Sequence, residues 1–168
     1  MEKVGASIRR LAQDMLETMY ANNGLGLAAT QIGKQEAMCV IDVSPAQTAA
    51  REQDGPVVEP GIPMPLIMIN PVITEESGEQ VGQEGCLSFP EIFVSLACAA
   101  AVTVQFADLE GRQQTLQATG LFARAVQHEL DHLKGILLVD RMSAVQKVGM
   151  AGKLRRLKKM TLELATVS

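Results

Sequence analysis

The sequence predicts a single α+β domain, and three observations support this fold class. The chain has 168 residues, a length typical of one domain with a substantial core. Apolar residues recur at helical spacing near the N-terminus and again around residues 119–133. Strand-like apolar segments lie between these two regions. The resulting order of helix, strands, helix, strand and helix is that of an α+β domain.

The first predicted helix covers residues 3–20 and ends in Ala21-Asn22-Asn23-Gly24, where Asn and Gly tolerate a left-handed cap. Its apolar positions are Val4, Ile8, Leu11, Met15 and Met19. The second helix covers residues 119–133 and ends before Gly135. Ser143 and Gln146 predict a capping box at the start of a third helix.

The strands are predicted from apolar segments. Residues 37–43 indicate a buried strand and residues 66–70 a second one. Residues 102–106 and 114–118, separated by a turn, indicate a hairpin. Residues 44–66 carry five of the seven prolines and predict a long loop.

The third helix is basic in an otherwise acidic chain. From Ser143 onward there are six basic residues and one acidic residue, whereas the whole chain has a net charge of -4. Such asymmetry is typical of a separate contact surface. We therefore predict one domain over 1–168, with a catalytic core over about 4–142 and a basic C-terminal helix over about 143–166.

Composition argues against several function classes. Aromatic residues make up 3% of the chain and there is no Trp, so base stacking on nucleic acid is not expected. The negative net charge also disfavours a nucleic-acid binder. No apolar segment reaches membrane-spanning length. Three cysteines and the absence of a secretory signal predict a reduced, cytoplasmic location, although a mature organellar fragment stays open.

The motif H-E-x-x-H at residues 128–132 predicts a metal site. On a helix, His128 and His132 share one face, so both imidazoles can reach one ion. Glu129 lies about 100° around the helix from His128, where it can touch a water on the ion without binding the metal. The alternative is a histidine pair on a solvated helix face. The metal interpretation is favoured because the chain has only two histidines and both fall in the motif.

A catalytic ion needs a third protein ligand, which must here be Cys, Asp or Glu. Cys39 lies in a predicted buried strand and Cys98 in an alanine-rich stretch, so both are interpreted as small core residues. Cys86 lies in a segment with Gly85 before it and Pro90 after it. This context favours Cys86 over an acidic residue without excluding the latter.

Residues 24–29 fit G-x-G-x-x-A, but a dinucleotide site needs a strand before the motif and a helix after it. Here a helix precedes it, so that function is not supported. The segment is either a glycine turn or a glycine-lined edge for a peptide backbone, with Gln31 as an amide donor to an oxyanion. Residue patterns alone leave both open.

Three segments together resemble the signature motifs of peptide deformylases. They are G-L-G-L-A-A-T-Q at 24–31, E-G-C-L-S at 84–88 and Q-H-E-L-D-H at 127–132. The resemblance extends from about Val4 to Met142. It implies antiparallel or mixed β-sheets packed around a central H-E-x-x-H helix, with N-terminal and C-terminal helices. It also implies removal of the formyl group from the N-terminal formyl-methionine of new polypeptides.

The resemblance assigns a role to each matching residue. It implies Cys86, His128 and His132 as metal ligands and Glu129 as general base and acid. It implies Gln31 and the backbone N–H of Leu87 as oxyanion donors. The substrate-binding residues that it implies are Gly24, Leu25 and Gly26 for the peptide and Leu121 for the methionine side chain.

The implied cofactor is one divalent ion per chain, Fe²⁺ in most of the family, with Zn²⁺, Ni²⁺ or Co²⁺ able to use the same ligands. The ion would lower the pKa of its bound water towards neutral pH, and the resulting hydroxide would attack the formyl carbon. The implied partners are formylated nascent peptides. The basic C-terminal helix is either a solvated face or a ribosome-docking element.

Two alternatives remain at this level. Relatives carry arginines shortly after the cysteine motif where this chain has Phe93 and Cys98. These differences would suit a divergent homologue that binds metal and nascent peptide with weak or no turnover. The H-E-x-x-H motif alone would also suit a zinc endopeptidase.

Overall fold

The structure is a computed structural model that describes residues 4–46 and 62–167. Most of the predicted loop over 44–66 therefore lies outside the described residues. The three numbered helices are α1 (Ala6–Ala21), α2 (Gly120–Leu133) and α3 (Ala144–Val167). The strands are β1 (Gly26–Ala28), β2 (Met38–Ile41), β3 (Leu66–Ser77), β4 (Gln80–Cys86), β5 (Phe89–Cys98), β6 (Ala101–Ala107) and β7 (Gln113–Thr119).

The strands form two antiparallel sheets. The larger sheet has the order β1-β2-β3-β6-β7, and the smaller one consists of β4 and β5. Strands β6 and β7 form the predicted hairpin, with Val104 opposite Leu116. Two short 3-10 helices, Ala29–Ile32 and Leu138–Arg141, follow β1 and α2. The α+β fold class is thus confirmed, and every strand pair in the described residues is antiparallel.

Helix α2 packs its apolar face against the larger sheet. Phe122, Val126 and Leu130 lie on this face and are buried with Met68 and Val104 of the strands. In β6 the residues Val102, Val104 and Phe106 are buried, and they alternate along the strand with more exposed neighbours. The opposite face of α2 is left for polar side chains, which include both histidines.

Helix α1 covers the β1–β2 end of the same sheet. Its buried residues Met15 and Met19 contact a cluster that includes Leu27, Met38 and Val40. Methionine fills irregular gaps because its side chain is unbranched and flexible. The core under α1 is therefore aliphatic and rich in methionine, whereas the core under α2 also contains Phe106 and Phe122.

The β4–β5 hairpin is the main element that the sequence did not predict. Here the sequence indicated only that Gly85 and Pro90 flank Cys86, whereas the structure has 7 residues in β4 and 10 in β5. Ile92, Val94 and Leu96 of β5 form a third buried cluster, which Leu154 and Leu157 of α3 partly cover. Cys98 ends β5 and is only partly buried, so its interpretation as a core residue is wrong, whereas Cys39 is fully buried.

Helix α3 begins with the predicted capping box. The Gln146 backbone N–H donates to Ser143 Oγ (3.2 Å), and the Ser143 N–H donates to Gln146 Oε1 (2.9 Å). The Gln146 side-chain amide also donates to the Ser95 carbonyl of β5 (2.7 Å). The first turns of α3 are thereby tied to the hairpin, while residues 158–166 are exposed. The division of the chain into a core and a separate C-terminal helix stays a prediction.

None of the helices in the described ranges is both long and apolar enough to span a membrane.

Replacement of Met15 by Ala should lower the free energy of unfolding by about 2–5 kcal/mol, because it removes a buried side chain and leaves a cavity. Met15 is 0% exposed, whereas Met160 of α3 is 53% exposed. The matched Met160→Ala variant should change stability by about 0.5 kcal/mol or less. Denaturant unfolding of both variants measures the difference. Equal effects of the two substitutions would contradict the described packing of α1.

Candidate metal centre

Two histidines of α2 point their ring nitrogens at the same place. Because His128 and His132 are four residues apart on the helix, they lie on one face. Their Nε2 atoms are 3.0 Å apart, and the two rings meet edge to face. This is the face of α2 that does not pack on the larger sheet.

Cys86 brings a sulfur atom to the same point from the end of β4. Its Sγ lies 3.2 Å from His132 Nε2. The β4–β5 register shifts between Gly85 and Cys86, and an irregularity of this kind can redirect a side chain at the end of a strand. In the described part of the chain, these three residues form the group whose ligand atoms converge, all within 4.8 Å of one another.

The donor set fits a divalent metal. Bonds of about 2.1 Å to imidazole nitrogen and about 2.3 Å to thiolate sulfur can span separations of this size. Burial would raise the pKa of Cys86, but hydrogen bonds from His128 and His132 outweigh it and lower the pKa from 9.0 to about 5. The thiolate form, which binds metals, is thus favoured at neutral pH.

The pKa of His128 is shifted in the opposite direction to that of Cys86. Burial would lower its pKa, but hydrogen bonds to Cys86 and Glu84 outweigh burial and raise the pKa from 6.5 to about 10. Because an ion requires the neutral imidazole, its binding must displace the proton from the ring nitrogen that it occupies.

Glu129 is buried beside these ligands, with 4% of its surface exposed. Its Oε2 atom is the one buried side-chain nitrogen or oxygen in the described residues that has no hydrogen-bond partner. Such an atom is costly unless water or a ligand occupies the site. Burial is also the main reason that the pKa of Glu129 rises from 4.5 to about 7. A carboxyl group with this pKa can accept and donate protons near neutral pH.

The glycines at residues 24–26 allow two close approaches. A Cβ atom at Gly26 would lie 2.4 Å from Glu129 Oε1, and one at Gly24 would lie 2.8 Å from the Leu87 side chain. Gly26 begins β1, which pairs with β2 and is preceded by α1. The dinucleotide interpretation is therefore not supported by the structure. Glycine is required here because other side chains already occupy the space.

Gln31 lies on the 3-10 helix after β1 and faces the cysteine. Its Oε1 accepts from the Ala28 N–H (2.9 Å), which fixes the direction of the amide. Its Nε2 donates to Ser88 Oγ (3.0 Å) and lies 3.4 Å from Cys86 Sγ. The N–H side of Gln31 is therefore turned towards the metal centre. Leu87 follows Cys86 directly, and the role of its backbone N–H stays a prediction.

An open cleft of about 680 Å³ lies next to the metal centre. It reaches His128, Glu129, Cys86 and Gln31 at one end. The residues that the resemblance assigns to substrate binding all line it: Gly24, Leu25, Gly26 and Leu121. Phe93 lines it as well and is 60% exposed. The cleft is mainly apolar in its lining.

Two polar residues beside the histidines were missed by the sequence analysis. Glu84 Oε1 lies 3.2 Å from His128 Nδ1, and Glu84 Oε2 lies 2.9 Å from Arg124 Nη1. Glu84 is part of the E-G-C-L-S segment, so its position close to Cys86 in the sequence could have indicated that it lies near the site. Nothing in the sequence pattern pairs it with Arg124, which is 40 residues away.

The fold agrees with comparisons to known proteins. A family model described as polypeptide deformylase matches residues 1–148. Peptide deformylase 2 of Gloeobacter violaceus is 45% identical over 140 residues, which cover 83% of this chain and 68% of that protein. The peptide deformylase of Neisseria gonorrhoeae is 41% identical over 162 residues, which cover 96% and 88%.

Solved structures give the same result. The crystal structure of Arabidopsis thaliana peptide deformylase 1B with an inhibitor matches with a TM-score of 0.81 at 29% identity, over 97% of this chain and 83% of that one. The peptide deformylase of Ehrlichia chaffeensis matches with a TM-score of 0.80 at 35% identity, over 97% and 88%. The zinc endopeptidase and the inactive homologue are not favoured by these matches. The chain belongs to the polypeptide deformylase family.

Proposed function

We propose that this chain removes the formyl group from formyl-methionine at the N-terminus of new polypeptides, with Cys86, His128 and His132 as metal ligands and Glu129 as the proton-transfer group. Membership of the family supports the reaction itself. The observation that carries the assignment of residues is the convergence of three donor atoms beside the unpartnered Glu129 Oε2. The cleft next to them supports access for a peptide.

Cys86, His128 and His132 would hold the ion. When bound, it would supply positive charge that acidifies water and stabilises negative charge on the formyl oxygen. We propose Fe²⁺ as the resident ion, as the family resemblance implies. One thiolate and two imidazoles also accept Zn²⁺, Ni²⁺ and Co²⁺. Metal analysis after anaerobic purification tests this choice, and a protein that contains only zinc would contradict it.

Glu129 handles the proton during amide cleavage. It accepts a proton from water as the water oxygen bonds to the formyl carbon, and it then donates a proton to the departing amine. Both steps suit a buried carboxyl group whose pKa is about 7. The products are formate and a peptide with a free N-terminal amine.

Gln31 and the Leu87 N–H are proposed to hold the developing oxyanion. The Gln31 amide is oriented in advance by Ala28 and Ser88, so no reorganisation is needed as charge develops. Cys86 lies within 3.4 Å of the same Nε2. Leu87 follows Cys86 in the chain, which supports an N–H on the same side of the ion.

The cleft supports a substrate held as an extended chain. Gly24, Leu25 and Gly26 line the cleft, and we propose that they contact the backbone of the bound peptide. Leu121 is proposed to line the methionine pocket and is partly buried against the core. The exposed ring of Phe93 supplies apolar contact area at the rim.

The basic face of α3 is proposed to dock on the ribosome, where new polypeptides emerge. Its support is charge alone: Lys153, Arg155, Arg156, Lys158 and Lys159 are exposed on one helix of an acidic protein. Such a face is attracted to a polyanion such as ribosomal RNA. The cytoplasmic location predicted from the sequence stays a prediction.

Replacement of Glu129 by Gln should lower kcat for formate release from formyl-Met peptides by about 10²–10⁴-fold. The amide keeps the size of the side chain but cannot accept the proton. Metal content should stay at the wild-type level because Glu129 is not a proposed ligand. Glu36→Gln, which changes an exposed glutamate elsewhere, serves as the control. A fully active Glu129→Gln variant, or a wild-type protein that binds metal but releases no formate, would refute the proposed function.

Replacement of Gly26 by Ala should lower activity by about 10²-fold, because a displacement of about 1 Å in a catalytic group has this effect. The new methyl group would lie 2.4 Å from Glu129 Oε1, so the carboxyl group must move. Metal content should stay near the wild-type level, because Glu129 is not a proposed ligand. Gly152→Ala is the matched control because a Cβ there meets nothing within 4 Å. Unaltered turnover in Gly26→Ala would contradict the close approach.

Replacement of Arg156 and Lys158 together by Glu should weaken co-sedimentation with ribosomes and reduce its dependence on salt. Both side chains are exposed, and the substitution leaves the packed residues Leu154 and Leu157 in place. Arg10 and Lys34, which are exposed elsewhere, give the control pair with the same charge change. Equal sedimentation of the two double variants would exclude a specific role of α3.

A further inference from the structure

Arg124 connects α2 to the hairpin that carries Cys86. It lies one turn before His128 and is only 7% exposed. Its Nη1 atom is 3.1 Å from the Leu96 carbonyl and 3.3 Å from the Gly82 carbonyl. Gly82 and Leu96 face each other across the β4–β5 ladder. A single guanidinium therefore contacts both strands of the hairpin.

The same nitrogen is part of a chain of contacts that ends at a histidine of the site. Arg124 Nη1 lies 2.9 Å from Glu84 Oε2, and the other carboxylate oxygen of Glu84 lies 3.2 Å from His128 Nδ1. When Nδ1 carries the proton, it donates to Glu84, and His128 Nε2 is left with its lone pair. That atom is the one that lies 3.0 Å from His132 Nε2.

The backbone opposite Arg124 is shaped to receive it. A Cβ atom at Gly82 would lie 3.0 Å from Arg124 Nη2 and 3.2 Å from Cζ. A larger residue would therefore push the guanidinium away from the strand. This close approach is independent of the contact with Glu84, and it keeps the side chain in one orientation.

We propose that Arg124 is a positioning residue for the metal centre, which acts through Glu84 to orient His128. The inference rests on the proposed function, since it assumes that His128 binds the ion. Groups that hold the second nitrogen of a metal-binding histidine fix its tautomer and ring direction. A buried carboxylate and a buried guanidinium each need a partner, so removal of one leaves the other as an unpaired buried charge, which is costly. Arginine suits this position because a guanidinium is more weakly hydrated than an ammonium group and is therefore less costly to bury in an ion pair.

The test measures the affinity of the protein for Co²⁺ by competition with a chelator. Arg124→Met should bind Co²⁺ about ten- to a hundred-fold more weakly than wild type, which is typical for loss of a group that supports a metal ligand. The visible absorption bands of bound Co²⁺ should shift, because His128 changes its direction. Formate release should fall through kcat rather than KM.

Arg141→Met is the matched control. Arg141, on the 3-10 helix that follows α2, makes a two-pronged ion pair with Asp131 of α2, at 2.6 and 2.8 Å. It acts on Glu84 through its charge only and has no hydrogen bond to Glu84 or His128. Its loss should leave Co²⁺ affinity and spectrum unchanged. If both arginine variants weaken binding equally, the effect is a general one on α2 and the proposal is wrong.

A double-variant cycle separates positioning from simple packing. If Arg124 acts through Glu84, the two substitutions remove the same interaction. The double variant with Arg124→Met and Glu84→Gln should then bind Co²⁺ no more weakly than whichever single variant binds it more weakly. If instead each substitution weakens Co²⁺ binding by its own factor and the two factors multiply in the double variant, the proposal is overturned. Should Arg124→Met fail to fold by circular dichroism, Arg124→Lys, which keeps the buried charge, takes its place in the cycle. Wild-type affinity in a folded Arg124 variant would refute this inference alone, whereas a wild-type protein that binds no Co²⁺ would refute the proposed function.

Discussion

The metal centre depends on the contact between helix α2 and the β4–β5 hairpin. Cys86 and His132 are 46 residues apart in the chain, yet their ligand atoms lie 3.2 Å from each other. The hairpin is not part of the larger sheet, so ladder hydrogen bonds cannot hold it there. The buried ion pair of Arg124 and Glu84 joins the two elements directly. The apolar cluster of Ile92, Val94 and Leu96 packs instead on Leu138 and Met142, which follow α2 in the chain.

Helix α2 combines two environments on opposite faces. Phe122, Val126 and Leu130 are buried against the larger sheet, and burial of each such side chain stabilises the fold by about 1.5–3 kcal/mol. The other face carries histidines and a glutamate that are costly to bury. The apolar face thus offsets the cost of the polar one, and it fixes the helix against the sheet so that the proposed catalytic groups are held in place.

The electrostatics of the site follow from the same burial. Removal from water raises the pKa of Glu129, while nearby histidines lower the pKa of Cys86 in spite of burial. One environment therefore produces a carboxyl group suited to proton transfer and a thiolate suited to metal binding. Gly26 and Gly82 contribute by the absence of a side chain, since each lets a functional side chain lie against the backbone.

The sequence by itself determined the parts of this protein that depend on local geometry. The helical spacing of His128, Glu129 and His132, the capping box at Ser143 and the hairpin of β6 and β7 each involve residues close in the chain, so periodicity and turn chemistry predict them. The resemblance of three short motifs also predicted the family. For the third metal ligand, the pattern only favoured Cys86 over an acidic residue, because Cys86 is distant in sequence from the two histidines.

Only the tertiary structure decided how these parts meet. The β4–β5 hairpin, the contact of Gly26 with Glu129 and the chain of contacts from Arg124 through Glu84 to His128 join residues that no local pattern relates. The exposed end of α3 and the partial exposure of Cys98 likewise follow from which surfaces happen to be covered. The physical reason is that side-chain packing and burial of charge depend on the assembled fold, whereas helix and turn preferences depend on a few neighbouring residues.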